Sequence, residues 1–389
     1  MTSKFFYPAK VLLEPGGYRK IISEAPQRFK RLFVVTGKSS MQRAGLLDAL
    51  ESICRESDVA LEICTGIKTN PEDDEVDAVA AKLNAFQADA VLGLGGGSSI
   101  DAAKIIAMLA TNGGNSADYL SLNGTAKKIT EKPLPIFAIP TTSGAASEAT
   151  PFAVITHGAS RMKKGMGSPL LYPSFVIIDP KLLALMPRDL IALTGFDAFG
   201  QALEGFTSRN STFHSEYFGF SSLRLILDNF EKSWLELEDV TAKAQMAWGT
   251  FNSGLSIGLV DVNLAHAMSH PLSGHFGLHH GLAVALCTVQ SIRFNRGAVG
   301  HKYVEVGRLI SNRVRSDEAA IDLLIDKILH WFDLFKIKPA LKDYDVPESA
   351  LQTLTRDALQ IGAIRTNPKP VEETQLLELF YKVWHGETS

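Results

Sequence analysis

The hydrophobic pattern changes once along the chain. In the first half, short runs of consecutive apolar residues alternate with stretches of helical period. "RLFVVT" (31–36), "VALEIC" (59–64), "DAVLGL" (89–94), "LPIFAIP" (134–140) and "SFVIIDP" (174–180) read as strands. Helical patterns continue from the first strand to about residue 56, cover 72–86, and run from about Ser99 to Leu109. Strand and helix in turn predict a parallel sheet wrapped by helices. Such a sheet buries both faces, which accounts for runs of Val, Ile, Leu and Phe in place of alternation. From about Leu182 onward 3.6-residue periods dominate, as in 218–238 and 317–335, and β-branched runs become scarce. The expectation is an α/β domain over 1–182 and an all-helical domain over 183–389, with the boundary near "DPKLLALMPRD".

Composition narrows the class. A chain of 389 residues with 46% hydrophobic content can bury two cores. A net charge of -3, with both signs mixed along the chain, offers no basic patch for nucleic acid or anionic lipid. Cys54, Cys64 and Cys287 have no paired spacing, which fits a reducing compartment and a cytoplasmic location. The start, "MTSKFFYPAK", has no apolar run of the kind a secretory leader needs, and no apolar stretch approaches the ~20 residues of a membrane span.

Two segments carry candidate chemistry. "VLGLGGGSSIDAAK" (91–104) sets Gly95, Gly96 and Gly97 between a strand and a helix. Glycines there allow a tight turn and close approach of a ligand, and free N–H groups at a helix start favour phosphate. Ser98 is the expected N-cap, with Asp101 as its capping-box partner. The dinucleotide fingerprint GxGxxG is not met, because Ser98 stands at its third glycine. The loop is therefore a phosphate cradle of another type, or a packing turn.

The second segment is "NLAHAMSHPLSGHFGLHHG" (263–281), which holds His266, His270, His275, His279 and His280. Ten histidines in 389 residues place well under one in fifteen positions by chance, so five here need a reason. His266 and His270 lie four apart and share a helix face; His280 follows a glycine-bearing loop that can fold back. Asp197 and Gln201 in "TGFDAFGQALEG" repeat the same spacing upstream. Together they offer a carboxylate, an amide oxygen and imidazoles, suited to holding a metal or moving a proton. A surface histidine tract is the bland alternative, and His275 and His279 have the weaker claim.

With these motifs in hand, the chain resembles the iron-containing (group III) alcohol dehydrogenase family nearly end to end. "GGGSSIDAAK", "AIPTTSGAASEAT" (138–150), "LLYPSFVIIDP" (170–180), "LTGFDAFGQALEG" (193–205), "HAMSHPLSGHFGLHHG" (266–281) and "RTNPKP" (365–370) stand in the family's order. The resemblance implies the dehydroquinate synthase-like architecture of this family, an α/β dinucleotide-binding domain followed by an all-α domain. It implies NAD(P) and a divalent metal, Fe(II) or Zn(II), with ligands falling on Asp197, Gln201, His266 and His280. A further active-site histidine falls on His270. Gly96, Gly97 and Ser98 match the pyrophosphate loop, Thr141 and Thr142 the other half of the cofactor, Lys163 the family's cofactor lysine, and Asn70 a neighbouring position. Family members are commonly dimers or larger, so a homodimer is expected.

Three departures from the family pattern qualify this. Gln201 replaces a histidine, and an amide oxygen is a weaker donor than imidazole, so weak metal retention is expected. Asp261 and Asn263 stand where small residues are usual and are expected on a helix surface or along a polar pocket. NAD-selective members often carry an aspartate where this chain has Gly37; with Lys38, Ser39 and Ser40 following, NADP is somewhat favoured. The implied activity is metal-dependent, NAD(P)-linked oxidation of a small alcohol or reduction of an aldehyde. Glycerol or polyol oxidation, a dehydroquinate-synthase-like cyclisation, and a non-catalytic binding role remain as alternatives.

Overall fold

The computed structural model describes residues 4–120 and 125–387. Residues 1–3, at the head of the segment read above for a leader, lie outside that range. The chain divides into two compact units, one of Phe6–Met186 with Leu237–Ala247, the other of Met1–Phe5, Pro187–Glu236 and Trp248–Ser389.

The first unit runs β1 (Lys10–Leu13), β2 (Arg31–Gly37), α1 (Ser40–Arg43), α2 (Leu46–Glu56), β3 (Ala60–Ile67), α3 (Asp73–Phe86), β4 (Ala90–Gly95), α4 (Gly97–Asn112), β5 (Ile136–Pro140), β6 (Phe152–His157), β7 (Met162–Gly167), β8 (Phe175–Ile178) and α5 (Pro180–Leu183). Six strands form one parallel sheet in the order β1-β8-β5-β4-β2-β3. The pleat sends Phe33, Val35 and Val91 into one core with α3 and α4. Leu32, Val34, Leu92 and Leu94 enter another with α2 on the opposite face. All five expected strands form. Two features were not foreseen. β1 is a short, half-exposed edge strand, and the antiparallel β6–β7 hairpin hides behind the polar, glycine-bearing "MKKGMG".

Chain order reverses between β2 and β4, since β3 lies to one side of β2 and β4, β5 and β8 to the other. In open parallel sheets, ligands bind outside the carboxyl ends of strands at such a point. The expected cap of α4 is corrected here. Gly96, in extended conformation, is the N-cap and Gly97 opens the helix, so Ser98 and Asp101 lie inside it. Ser98 Oγ accepts from the Asn70 N–H at 3.3 Å, and the Asp101 carboxylate accepts from the Val154 N–H at 3.1 Å. Gly93 and Gly97 bring α4 close. A Cβ on Gly93 would lie 2.8 Å from Ile100 Cα, and one on Gly97 would lie 2.5 Å from Ala145 Cβ.

The remaining helices are α6 (Arg188–Thr207), α7 (Phe213–Leu235), α8 (Val240–Val260), α9 (Leu264–Phe276), α10 (His280–Ile310), α11 (Asp317–Phe335), α12 (Leu351–Leu359) and α13 (Glu373–His385). The second unit contains α8 only from Trp248 onward. Its core is aromatic. Phe196 of α6 packs edge-on against Phe230 and Trp331, and Gly195 leaves room for the Phe230 ring. Among the described residues no helix is long and apolar enough to cross a membrane.

Candidate metal centre and nucleotide edge

α6 is mostly apolar and buried, yet carries Asp197, Gln201 and Glu204 at 5%, 4% and 3% exposure. Positions i, i+4 and i+7 share one helix face, so three polar side chains leave the same stripe into the buried interior. Buried polar groups must find partners; Asp197 and Glu204 find them on α9 and α10, and Gln201 on Asp197 and on Ser253 of α8.

α9 begins at Asn263, whose side-chain oxygen accepts from the Leu264 N–H at 2.7 Å. Asn263 is 1% exposed. Its backbone N–H donates to Glu204 Oε2 at 2.8 Å and its side-chain amide to the Glu204 carbonyl at 3.1 Å. The surface or pocket role expected for Asn263 is thus corrected to a buried cap. Asp261 takes a left-handed conformation just before it and accepts from the Val262 N–H at 2.8 Å.

The Glu204 carboxylate accepts from Nδ1–H of His266 at 2.6 Å, which leaves His266 Nε2 facing Asp197 Oδ1 at 3.4 Å. His280, the first residue of α10, brings its Nε2 to 3.8 Å from the same oxygen. One ligand atom each from Asp197, His266 and His280 lie within 4.8 Å of one another. Donors around a tetrahedral Zn(II) at ~2.0–2.1 Å stand about 3.4 Å apart, so the set fits a divalent ion with modest closure. Glu204 supplies the carboxylate behind a ligating histidine that fixes tautomer and raises basicity.

Burial alone would lower the pKa of His266, but Glu204 and then Asp197 outweigh it and hold the imidazole up at about 9. In the metal-free chain that raised value stabilises the fold below the ordinary histidine value, ~6.5, and the contribution is lost as pH rises through about 9.

Gln201 lies at the centre in an unexpected orientation. Its Nε2 donates to Asp197 Oδ1 at 3.2 Å, and its Oε1 accepts from Ser253 Oγ at 3.0 Å. His270 sits one turn along α9 from His266, its ring 5.4 Å from that of His280. His275 pairs instead with Asp357 of α12 at 2.6 Å, and His279 is the N-cap residue of α10. Glu204 was missed by sequence reasoning; the available signal was a carboxylate on the Asp197 stripe of an apolar helix.

In the first unit the expected cofactor residues other than Lys163 gather at one end of the six-stranded sheet. Gly37 ends β2, with Lys38 and Ser39 after it. Asn70 follows β3, Gly96, Gly97 and Ser98 follow β4, and Thr141 and Thr142 follow β5. These are the carboxyl ends of four parallel strands, β2 and β4 flanking the reversal point. The Thr141 N–H donates to the Gly95 carbonyl at 2.9 Å, and a Cβ on Gly96 would sit 3.3 Å from Thr142 Oγ1. Lys163 lies on β7. Burial pushes the Asp101 carboxyl up, against the charges of Lys104 and Lys163 and hydrogen bonds from Ser147 and Val154.

Residues 8–180 match the family model described as iron-containing alcohol dehydrogenase. Residues 191–384 match the model of the Fe-containing alcohol dehydrogenase family, C-terminal. The chain is 26% identical over 369 residues to the NAD-dependent methanol dehydrogenase of Bacillus methanolicus, covering 94% of this chain and 96% of that protein. It is 26% identical over 364 residues to the NADPH-dependent butanol dehydrogenase of Clostridium saccharobutylicum, covering 92% of each. A halo-thermophilic archaeal alcohol dehydrogenase from a Red Sea brine pool superposes with a TM-score of 0.93 at 28% identity, over 98% of this chain and 99% of that one.

Proposed function

Because the chain belongs to the iron-containing alcohol dehydrogenase family, we propose that it interconverts a small alcohol and its aldehyde with NAD(P), using a divalent metal held by Asp197, His266 and His280. The observation that carries this is the convergence of a carboxylate and two imidazoles on one buried point, with Glu204 fixing His266 from behind. A divalent ion held there would supply Lewis-acid polarisation of the alcohol or aldehyde oxygen. Bound NAD(P) would supply the hydride chemistry. Glu204 keeps Nε2 of His266 turned toward Asp197. His270 is assigned the proton relay, since an imidazole can both take and give a proton and its ring adjoins that of His280. Backbone around Gly96 and Gly97, at the start of α4, suits the pyrophosphate. A panel of short aldehydes assayed with NADH and NADPH, with Zn(II) or Fe(II) and after chelation, tests the reading. Metal-dependent consumption of reduced nicotinamide is the expected result; no turnover above the chelated control would overturn it.

A pH effect on metal binding follows from His266. A metal takes neutral imidazole, so below about 9 the ion must displace a proton. Affinity is expected to fall about tenfold for each pH unit lowered below that point, through this group alone. Competition titrations with a chelating indicator in the range pH 7–8 measure the slope, and a flat profile contradicts it.

Cofactor choice rests on Gly37, Lys38 and Ser39, which present no carboxylate. NADP(H) is therefore expected to serve at least as well as NAD(H). A Cβ on Gly37 would meet nothing nearer than the Ile67 carbonyl at 3.9 Å, so Gly37→Asp can fold unchanged. The added charge repels a 2′-phosphate, and preference should move toward NAD(H). Equal kcat/KM for NADPH in variant and parent would count against this assignment.

A further inference from the structure

We propose that the Gln201 carboxamide turns over when the metal binds, delivering its oxygen to the ion, and that Ser253 partners the amide in both orientations. The inference rests on the metal centre proposed above. As placed, Gln201 offers its N–H to Asp197 Oδ1, the oxygen that also faces His266 and His280. An N–H donor beside a cation is repelled by it, whereas the other end of the same amide is a ligand. Rotation about the terminal side-chain bond exchanges the two ends with little movement of heavy atoms, and this torsion is soft and roughly two-fold.

What makes the exchange feasible is the other partner. Gln201 and Ser253 are 4% and 0% exposed, so water cannot satisfy an amide group left alone. Ser253 Oγ stands 3.0 Å from Gln201 Oε1 and 2.7 Å from the Thr250 carbonyl. A hydroxyl has one hydrogen and two lone pairs. With its hydrogen on Gln201 it serves the amide oxygen, as in the present arrangement. With its hydrogen on the Thr250 carbonyl it accepts from the turned amide N–H. Both ends of the amide keep a partner in either state.

The test is Zn(II) affinity of the full-length protein by competition titration, for the parent, Gln201→Met, Gln201→Glu and Asp197→Ala. Gln201→Met keeps the length and removes the oxygen, so binding should weaken at least tenfold, no less than the loss of an outer-sphere partner. Gln201→Glu keeps an oxygen and should bind at least as tightly as the parent. Unchanged or tighter binding by Gln201→Met overturns the turning amide, because it identifies Gln201 as a donor that competes with the ion for Asp197. Asp197→Ala separates the two readings. If it retains parental affinity, the centre itself fails and this inference with it. If it loses the metal while Gln201→Met does not, only the turning amide fails. A crystal structure with Zn(II) gives a readout independent of affinity. Gln201 oxygen on the ion and nitrogen at Ser253 is expected, and nitrogen still on Asp197 overturns the proposal.

Discussion

Asp197→Ala and His266→Ala are each expected to lose the metal and, with it, turnover. The reduction should exceed the roughly 10–100-fold typical of altered groups behind a metal ligand. Asp197 Oδ1 is the common neighbour of His266, His280 and Gln201, so its removal dismantles the whole set. His270→Ala is expected to differ in kind, keeping the metal and losing rate. Metal content of the purified variants, measured beside kcat/KM, distinguishes ligand from relay. Full activity with normal metal content in Asp197→Ala would refute the ligand assignment.

Much of this arrangement was legible in the sequence because its signals are local. Val, Ile, Leu and Phe runs marked the buried parallel strands, and the i, i+4 spacing of Asp197 with Gln201 and of His266 with His270 marked two helix faces that the fold brings together. The same locality explains the misses. Ser98 looked like a cap, but the turn is made by Gly96, and Asp101 is taken by the distant Val154 N–H. Glu204 was read past because its partners, His266 and the start of α9, are far away in sequence. Asn263 was assigned to a surface or pocket since nothing local shows that Glu204 lies over it. The orientation of Gln201 depends on Ser253, which only the fold brings near. Polar pairings across helices have no period for a sequence to display.

Gly281→Ala is the second large effect expected. Gly281 follows His280, a proposed ligand, at the start of α10, and a Cβ there would lie 1.8 Å from the Leu193 carbonyl oxygen and 3.3 Å from Asp197 Cβ. The nearest obstacle is backbone, so no side chain can swing aside; α10 must move away from α6. Gly200 makes a similar approach from α6, where a Cβ would meet Val284 Cγ1 at 2.5 Å. Overpacking of this kind costs about 1–3 kcal/mol, and a ~1 Å misplacement can cost ~100-fold in rate. The variant is expected to fold with a lower melting temperature and to bind metal poorly, since His280 is carried off Asp197. Thermal melts and Zn(II) titration on one preparation check both, and parental metal affinity would show that the helix contact does not set the ligand spacing.

The tight seating of α4 bears on how a nucleotide would be received. With Gly93 under Ile100 and Gly97 against Ala145, the loop at the mouth of α4 is wedged between the sheet and the 142–147 segment. Its shape is therefore fixed by packing rather than by a bound phosphate. A ligand entering such a loop need not first collect a wandering chain, so little conformational entropy is surrendered there on binding. On the proposed placement of NAD(P), selectivity between nucleotides would arise from groups at the rim, Gly37, Lys38 and Ser39 among them, while the loop would be a rigid and indifferent grip.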